Sequence, residues 1–162
     1  MSTSPLTIRD ARPADHNFIY NSWLRSNRRA RNAAQVPNDI YYTQHHKLVE
    51  DILARPTTRT YVITPTALGE SDTICGYAVV EALPNAPAVH VVHYVYVKET
   101  FRRLGLAKQL LQHAGIPATR AENALALTFV THLTSHAEPA TIKYGLVFNP
   151  YLLVPSGTGA VS

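Results

Sequence analysis

The run Phe101-Arg102-Arg103-Leu104-Gly105-Leu106-Ala107-Lys108 sets two guanidinium groups beside a glycine where an amphipathic pattern begins. Those residue types at that spacing suit the binding of an anion. The first turn of a helix carries unpaired backbone N–H groups and a partial positive charge, which together attract anions. Gly105 has no Cβ and lets the backbone approach a bound group closely. Arg102 and Arg103 add charge-assisted hydrogen bonds, so a pyrophosphate fits the segment. The spacing is neither G-x-x-x-x-G-K-S/T nor G-x-G-x-x-G, which excludes a Walker loop and a dinucleotide turn here.

A second chemical feature lies directly upstream, in VHVVHYVYV (89–97). Simple alternation puts Val89, Val91, His93, Val95 and Val97 on one face, leaving His93 as its single polar side chain. Burial lowers a histidine's pKa, which would keep His93 neutral and able to accept a proton. His90 falls on the opposite face unless a bulge intervenes, and is the weaker candidate. Eight histidines also raise a metal reading, through His90-x2-His93 and His132-x3-His136. No cysteine cluster or carboxylate accompanies these pairs, and strand spacing separates His90 from His93, so no metal is expected.

The elements around these groups follow from periodicity. LTIRDA reads as a first strand, and Phe18, Ile19, Trp23 and Leu24 recur at helical spacing after Asp15. A second helix opens at Pro37-Asn38, carries Tyr41, Tyr42, His45, Leu48, Val49, Ile52 and Leu53, and stops at Pro56. TYVITPT, TICGYAVVEA and VHVVHYVYV are β-branched, aromatic strands. Ala107, Leu110, Leu111 and Ala114 then mark a helix ended by Gly115 and Pro117. ALALTFVTHL is a further strand, and TIKYGLVFNPYLLV contains one or two more. The expectation is an α/β domain with a mixed, mostly antiparallel sheet flanked by helices, in the order β-α-α-β-β-β-α-β-(α)-β.

Composition agrees with one domain over 1–162, its ordered core at 6–154 and a tail at 155–162. The 162 residues are 46% hydrophobic and 16% charged, which is globular composition. Apolar runs are too short and broken for a membrane span, the N-terminal stretch lacks a secretory layout, and the lone Cys75 excludes an internal disulfide. A cytoplasmic location follows. The net charge of +4 is concentrated in RSNRRAR (25–31) and around residues 98–108, as expected of a protein that meets anions. A nucleic-acid partner rests on RSNRRAR alone, without a binding motif beside it, and is disfavoured.

Arg102-Arg103-Leu104-Gly105-Leu106-Ala107 resembles the R/Q-x-x-G-x-G/A signature of the GNAT superfamily of acetyl-CoA-dependent acetyltransferases. Val97 stands five positions before Arg102, where that family has a valine-like strand end. The element order and the opening TIRDARPAD are similar too, and HYVYVK resembles members encoded by tailed bacteriophages. The resemblance implies a GNAT-like fold and acetyl-CoA (coenzyme A) as cosubstrate. It implies that backbone amides from Arg103 through Leu104, Gly105 and Leu106 to Ala107 hold the pyrophosphate, with the backbone of Val95 and Val97 pairing with the pantetheine arm. His93 lies four residues before Val97, where arylalkylamine acetyltransferases of the superfamily carry a base-type histidine. The general acid is expected from an LYxxxGF-like segment, yet Thr141 stands where its tyrosine would be. Tyr144 is the substitute chosen, with Tyr151 beside it as an alternative. The resemblance also puts RSNRRAR and NDIYYTQHH next to the acceptor, where the arginines would favour an acidic or phosphate-bearing molecule.

The implied reaction is direct N-acetylation of a primary amine, on a small molecule or a protein. For an amine of pKa about 10.4, about one molecule in a thousand is neutral near pH 7, a deficit of roughly 4 kcal/mol that a proton acceptor must address. The rival reading is a non-catalytic GNAT-fold protein that binds CoA or a protein partner. The sequence leaves monomer and homodimer equally open.

Overall fold

A computed structural model describes residues 6–30, 33–65, 73–102, 104–117, 127–134 and 137–154. Its six strands lie in one sheet in chain order: β1 (Leu6–Asp10), β2 (Thr58–Pro65), β3 (Gly76–Ala82), β4 (His90–Val97), β5 (Thr128–Val130) and β6 (Val147–Phe148). The first four are joined antiparallel, while β5 runs parallel to β4 and β6 parallel to β5. Helices α1 (His16–Asn27) and α2 (Asn38–Ala54) precede β2, α3 (Leu106–His113) links β4 to β5, and α4 (Ala137–Tyr144) links β5 to β6. The architecture is thus the mixed, mostly antiparallel α/β sheet that the periodicity predicts.

The two faces of the sheet are covered differently, and the alternation of β2 and β3 shows why. Val62, Tyr77 and Val79 point into a core with Ile19 and Trp23 of α1 and Tyr41, Val49 and Ile52 of α2. Their neighbours Ile63 and Ala78 point the other way, against Leu106 and Leu110 of α3. In α3 the buried stripe therefore starts at Leu106, while Ala107 is half-buried.

Asp15 does not cap α1. Its carboxylate instead accepts from the Arg12 amide at 2.7 Å and from Arg9 Nη1 at 2.7 Å, pinning the end of β1 to the turn before the helix. TIKYGLVFNPYLLV holds one of the one or two strands expected. Thr141–Tyr144 complete α4, Gly145 turns the chain at φ +70°, and only Val147–Phe148 pair before a 3-10 turn at Pro150–Leu153. Of the expected strand ALALTFVTHL, only Thr128–Val130 forms strand among the described residues.

At Gly76 the backbones of β3 and β4 approach closely. A Cβ built there would lie 2.6 Å from the Tyr96 carbonyl oxygen and 3.2 Å from Val97 Cα. Both are backbone atoms and cannot swing aside. Gly76→Ala must push the strands apart beside the segment that leads into α3. The expected loss is about 1–3 kcal/mol by urea denaturation, and an unchanged midpoint would contradict this packing.

Candidate active site

Two places along β4 have the makings of a site: the turn into α3 at its C-terminal end and the point where β5 leaves it. At the turn, Glu99–Phe101 form a 3-10 turn, and Gly105 is the N-cap of α3 at φ +76°, a left-handed conformation. That dihedral favours glycine, and a Cβ there would meet nothing within 4 Å, so the cap opens onto free space. The first intrahelical bond runs from Gln109 N to Gly105 O, which leaves the amides of Leu106, Ala107 and Lys108 ahead of it and aimed outward. Gly105, as the N-cap residue, has no side chain to cap them. These features fit a pyrophosphate, with Leu106, Ala107 and Lys108 as the donors that would hold it. Leu104 is exposed beside the cap, and Arg103 lies outside the described residues.

Arg102 has an additional task. Its Nε donates to Val97 O at 3.0 Å, bracing the end of β4 against the turn. Of the two backbone positions expected to pair with pantetheine, Val97 therefore has its carbonyl engaged by Arg102, and a ligand pairing with that oxygen must displace the side chain.

The second place is an opening in the sheet. β5 pairs with β4 only over His90–Val92, after which Thr131 N donates to Val92 O at 3.2 Å and the strands part. Among the described residues, no strand pairs with the β5 side of β4 from His93 to Val97, although Thr131 Oγ1 lies 3.5 Å from His93 O and Arg102 holds Val97 O. An extended acyl-pantetheine arm needs an edge of this kind, running from the parting point toward the α3 cap.

A bulge sits where the strands part. Val80 pairs with Val92 and Val79 with Tyr94, so His93 is the extra residue on β4. His93 and Tyr94 consequently both face the α1/α2 layer, while Val92 and Val95 face α3. This corrects the simple alternation, which put His93 on one face with Val95 and Val97. The bulge reverses the phase of the strand.

His93 is buried in a polar network. Its side chain is 0% exposed, Nε2 donates to Glu81 Oε1 at 2.7 Å, and Nδ1 lies 2.9 Å from Thr131 Oγ1. Glu81 also accepts from Arg55 Nη1 at 3.0 Å and from Thr57 Oγ1 at 2.7 Å. Arg55 in turn grips Asp51 at 2.9 Å and donates to the carbonyls of Leu152 and Leu153. Burial alone would raise Glu81, but the hydrogen bonds from His93, Thr57 and Arg55 outweigh it and hold the carboxyl at about 2. Burial lowers His93, with Glu81 opposing.

Two histidines that the sequence reading did not assign to the site extend the network. Thr131 Oγ1 lies 3.0 Å from His132 Nδ1, and His132 Nε2 lies 3.0 Å from His45 Nε2. Burial takes His132 well below the usual range and His45 down to about 4. His132 packs against Trp23 and Tyr94, themselves stacked at 4.7 Å. His45 stacks on Tyr41. No motif announces this cluster, because its members lie on α2, β4 and just beyond β5. His45 standing on the apolar face of α2 was its one sequence signal. His136, paired in sequence with His132, lies outside the described residues.

The other expected groups are distributed as follows. Arg28 of RSNRRAR turns inward, with Nη1 on Ala33 O, Nη2 on Val36 O and Nε on Asn38 Oδ1, and with its guanidinium 4.8 Å above the Tyr41 ring. It fastens the α1–α2 connection and is not a free cation for an acceptor. Arg25 lines an open groove of about 420 Å³ with Phe18, Asn21, Tyr96, Lys98 and Glu99. Tyr144 ends α4 with Lys143 Nζ 5.3 Å from its ring centroid, and Tyr151 is 84% exposed. Thr141 Oγ1 donates to Glu138 O within α4. His90 begins β4, half-buried.

A sheet that parts beside a bulged strand, with a helix start at that strand's end, is a geometry that can seat an extended anionic ligand. Residues 17–137 match the family model for the acetyltransferase (GNAT) family, so the chain belongs to the GNAT acetyltransferases. The structure is similar to that of a Clostridium acetobutylicum protein described as a predicted acetyltransferase with acetyl-CoA. That match has 15% identity, spans 88% of this chain and 90% of the other, and gives a TM-score of 0.56. A possible acetyltransferase from Clostridium difficile 630 is similar over 85% of each chain, at 15% identity and TM-score 0.53. A GNAT-family protein from Desulfovibrio desulfuricans aligns over 68% of this chain and 64% of its own length, at 17% identity and TM-score 0.46. At these identities the likenesses concern the fold. No curated protein matches the sequence. No helix of the described residues is long and apolar enough to cross a membrane.

The buried groups set a pH dependence of stability with a definite sign. The three histidines have folded pKa values below the unfolded 6.5, so the unfolded chain binds more protons below that pH. Stability falls as pH drops from about 6.5 toward about 4. Glu81, held at about 2 against 4.5, contributes stability that is present above 4.5 and lost as pH falls toward 2. Scanning calorimetry from pH 7.5 down to 3 should show the melting temperature decline through both windows. A flat profile between pH 7 and 4 would refute the buried neutral histidines.

Proposed function

We propose that the protein is an acetyl-CoA-dependent N-acetyltransferase that transfers the acetyl group directly to a primary amine in a ternary complex. The observation that carries this reading is the free edge of β4 from His93 to Val97, with a proton-accepting network at one end and an anion-binding helix start at the other. Acetyl-CoA supplies a thioester carbonyl as the electrophile. The amides of Leu106, Ala107 and Lys108, with Arg102 and Arg103, hold the phosphates. Val95 offers backbone pairing along the edge. At the other end, His93 is the proton acceptor, kept neutral by burial and given a counter-charge by Glu81.

Transfer forms a C–N bond, breaks the C–S bond and leaves a thiolate that needs a proton. Tyr144 is the donor in this reading. Thr141, which replaces the family tyrosine, has its hydroxyl directed to Glu138 O within its own helix.

Cofactor binding and chemistry can be tested separately. Acetyl-CoA at about 100 times its Kd should stabilise the fold by ~2.7 kcal/mol, a melting shift of roughly 5–10 °C for a domain of this size. Arg102→Glu should abolish most of that shift, by placing a negative charge at the phosphates and by releasing Val97 O. No shift at millimolar acetyl-CoA would end the reading.

Turnover is then followed as CoA thiol release across a panel of primary amines. At least one amine should raise release well above background hydrolysis. A clear thermal shift with no amine-dependent release would instead identify a CoA-binding protein that does not catalyse transfer.

A further inference from the structure

His93 presents a difficulty for direct proton abstraction. Its side chain is 0% exposed, and both ring nitrogens already face protein groups, so an acceptor amine cannot reach it. The hydrogen bonds beyond it supply a route, and their directions are fixed from one end. Glu81 is ionised and can only accept, so His93 Nε2 carries a proton. In the neutral ring Nδ1 is then bare, and the Thr131 hydroxyl donates to it at 2.9 Å in preference to the His93 carbonyl at 3.5 Å. Thr131 Oγ1 must accept from His132 Nδ1–H at 3.0 Å. That leaves His132 Nε2 bare, to accept from His45 Nε2–H at 3.0 Å.

The last atom in the chain is His45 Nδ1, a lone pair on α2. His45 is half-buried, whereas His93 and His132 are 1% and 4% exposed, so the chain comes nearest to solvent at His45. Asn27 Nδ2 lies 3.4 Å from His45 Nε2 while its Oδ1 has no partner among the described residues. Turning that amide presents an oxygen to the His45 N–H, and turning it back presents a donor when that nitrogen is bare.

We propose that His45, His132 and Thr131 form a proton relay that connects the acceptor amine to His93. It rests on the acetyltransferase reading, because an ammonium group is the source of the proton. The ammonium gives its proton to His45 Nδ1, and the His45 Nε2 proton moves to His132 Nε2. The His132 Nδ1 proton passes to Thr131 Oγ1, whose own hydroxyl proton moves to His93 Nδ1. At each step one N–H or O–H bond breaks and another forms. The amine becomes a neutral nucleophile, and the single positive charge rests on His93 against Glu81. After transfer, reversal of the same steps returns the proton through His45 to water.

Burial opposes a charge on His93, and the charged groups around it divide. Glu81 and the more distant Asp51 favour a charge on His93, while Arg55 opposes it. Tyr94 beside His132 and Tyr41 beside His45 are both raised by burial, so each remains a neutral phenol. Trp23 completes the wall and contributes no titratable group.

Nitrogen-15 histidine spectra of the full chain at neutral pH read the relay without any turnover. His93 and His45 should be Nε2–H tautomers and His132 an Nδ1–H tautomer. An Nε2–H tautomer at His132 with His93 neutral would overturn the proposal. Kinetically, Thr131→Val should lower kcat for an amine of high pKa by on the order of 100-fold, with acetyl-CoA affinity within threefold of the parent. Thr131→Ser, which keeps the hydroxyl, should restore most of that rate. An amine already neutral in solution should lose far less, a distinction that a purely structural defect would not make. Equal losses for both amines, or no loss, would overturn the relay. If the valine variant does not fold, the tautomers and the serine variant decide. Normal amine acetylation with the wrong tautomers defeats the relay alone, whereas acetyl-CoA binding without any amine acetylation defeats the acetyltransferase reading and the relay with it.

Discussion

The carboxylate of Glu81 is the constraint around which the rest is arranged. An ionised group 7% exposed in the middle of a sheet is tolerated only when other groups replace the water it lost. Here the replacements come from three directions: Arg55 from the end of α2, Thr57 from the connection to β2, and His93 from the neighbouring strand. Each of those partners fixes an element. Arg55, held between Asp51 and the carbonyls of Leu152 and Leu153, ties the second helix and the C-terminal turn to the centre of the sheet. His93 shares the Glu81 face through its alternation with Val91, and the bulge brings Tyr94 onto that face beside it.

The bulge joins this buried charge to the opening of the sheet. Without the extra residue, His93 and Tyr94 would face opposite sides, and either Glu81 would lose a partner or Trp23 would lose the ring it stacks on. With it, β4 changes phase beside the last residue that pairs with β5. A bulge disturbs the ladder and increases local twist, which accords with β5 leaving at this point. Setting His93 and Tyr94 on one face and opening an edge for a ligand are therefore two outcomes of one local irregularity.

Much of this was legible in the chain. Strand and helix periods gave the order of elements, and the glycine and arginines at 102–105 marked the helix start that suits an anion. His93 stood out as polar in an apolar strand. What could not be read was anything that depends on registration between distant segments. The alternation of VHVVHYVYV placed His93 on one face with Val95, because a single inserted residue leaves no mark in the pattern. Arg28 looked like one basic residue among several, yet three acceptors and the Tyr41 ring claim it. His45 and His132 are separated by 87 positions, and only the tertiary fold brings them to 3.0 Å.

The two ends of β4 solve opposite electrostatic problems. For the proposed ligand the amides at the α3 cap must stay uncovered, because an anion carrying several charges is bound best where donors are already oriented and space is free. At the bulge the groups must be dry, because burial is what keeps three histidines neutral near pH 7 while one carboxylate stays charged. One environment cannot meet both demands. A strand long enough to separate them, paired on one side by β3 and free on the other, allows a single extended ligand to lie across both. In the proposed reading the exposed basic turn and the buried histidines are thus complementary parts of one site, and the length of the β4 edge sets their separation.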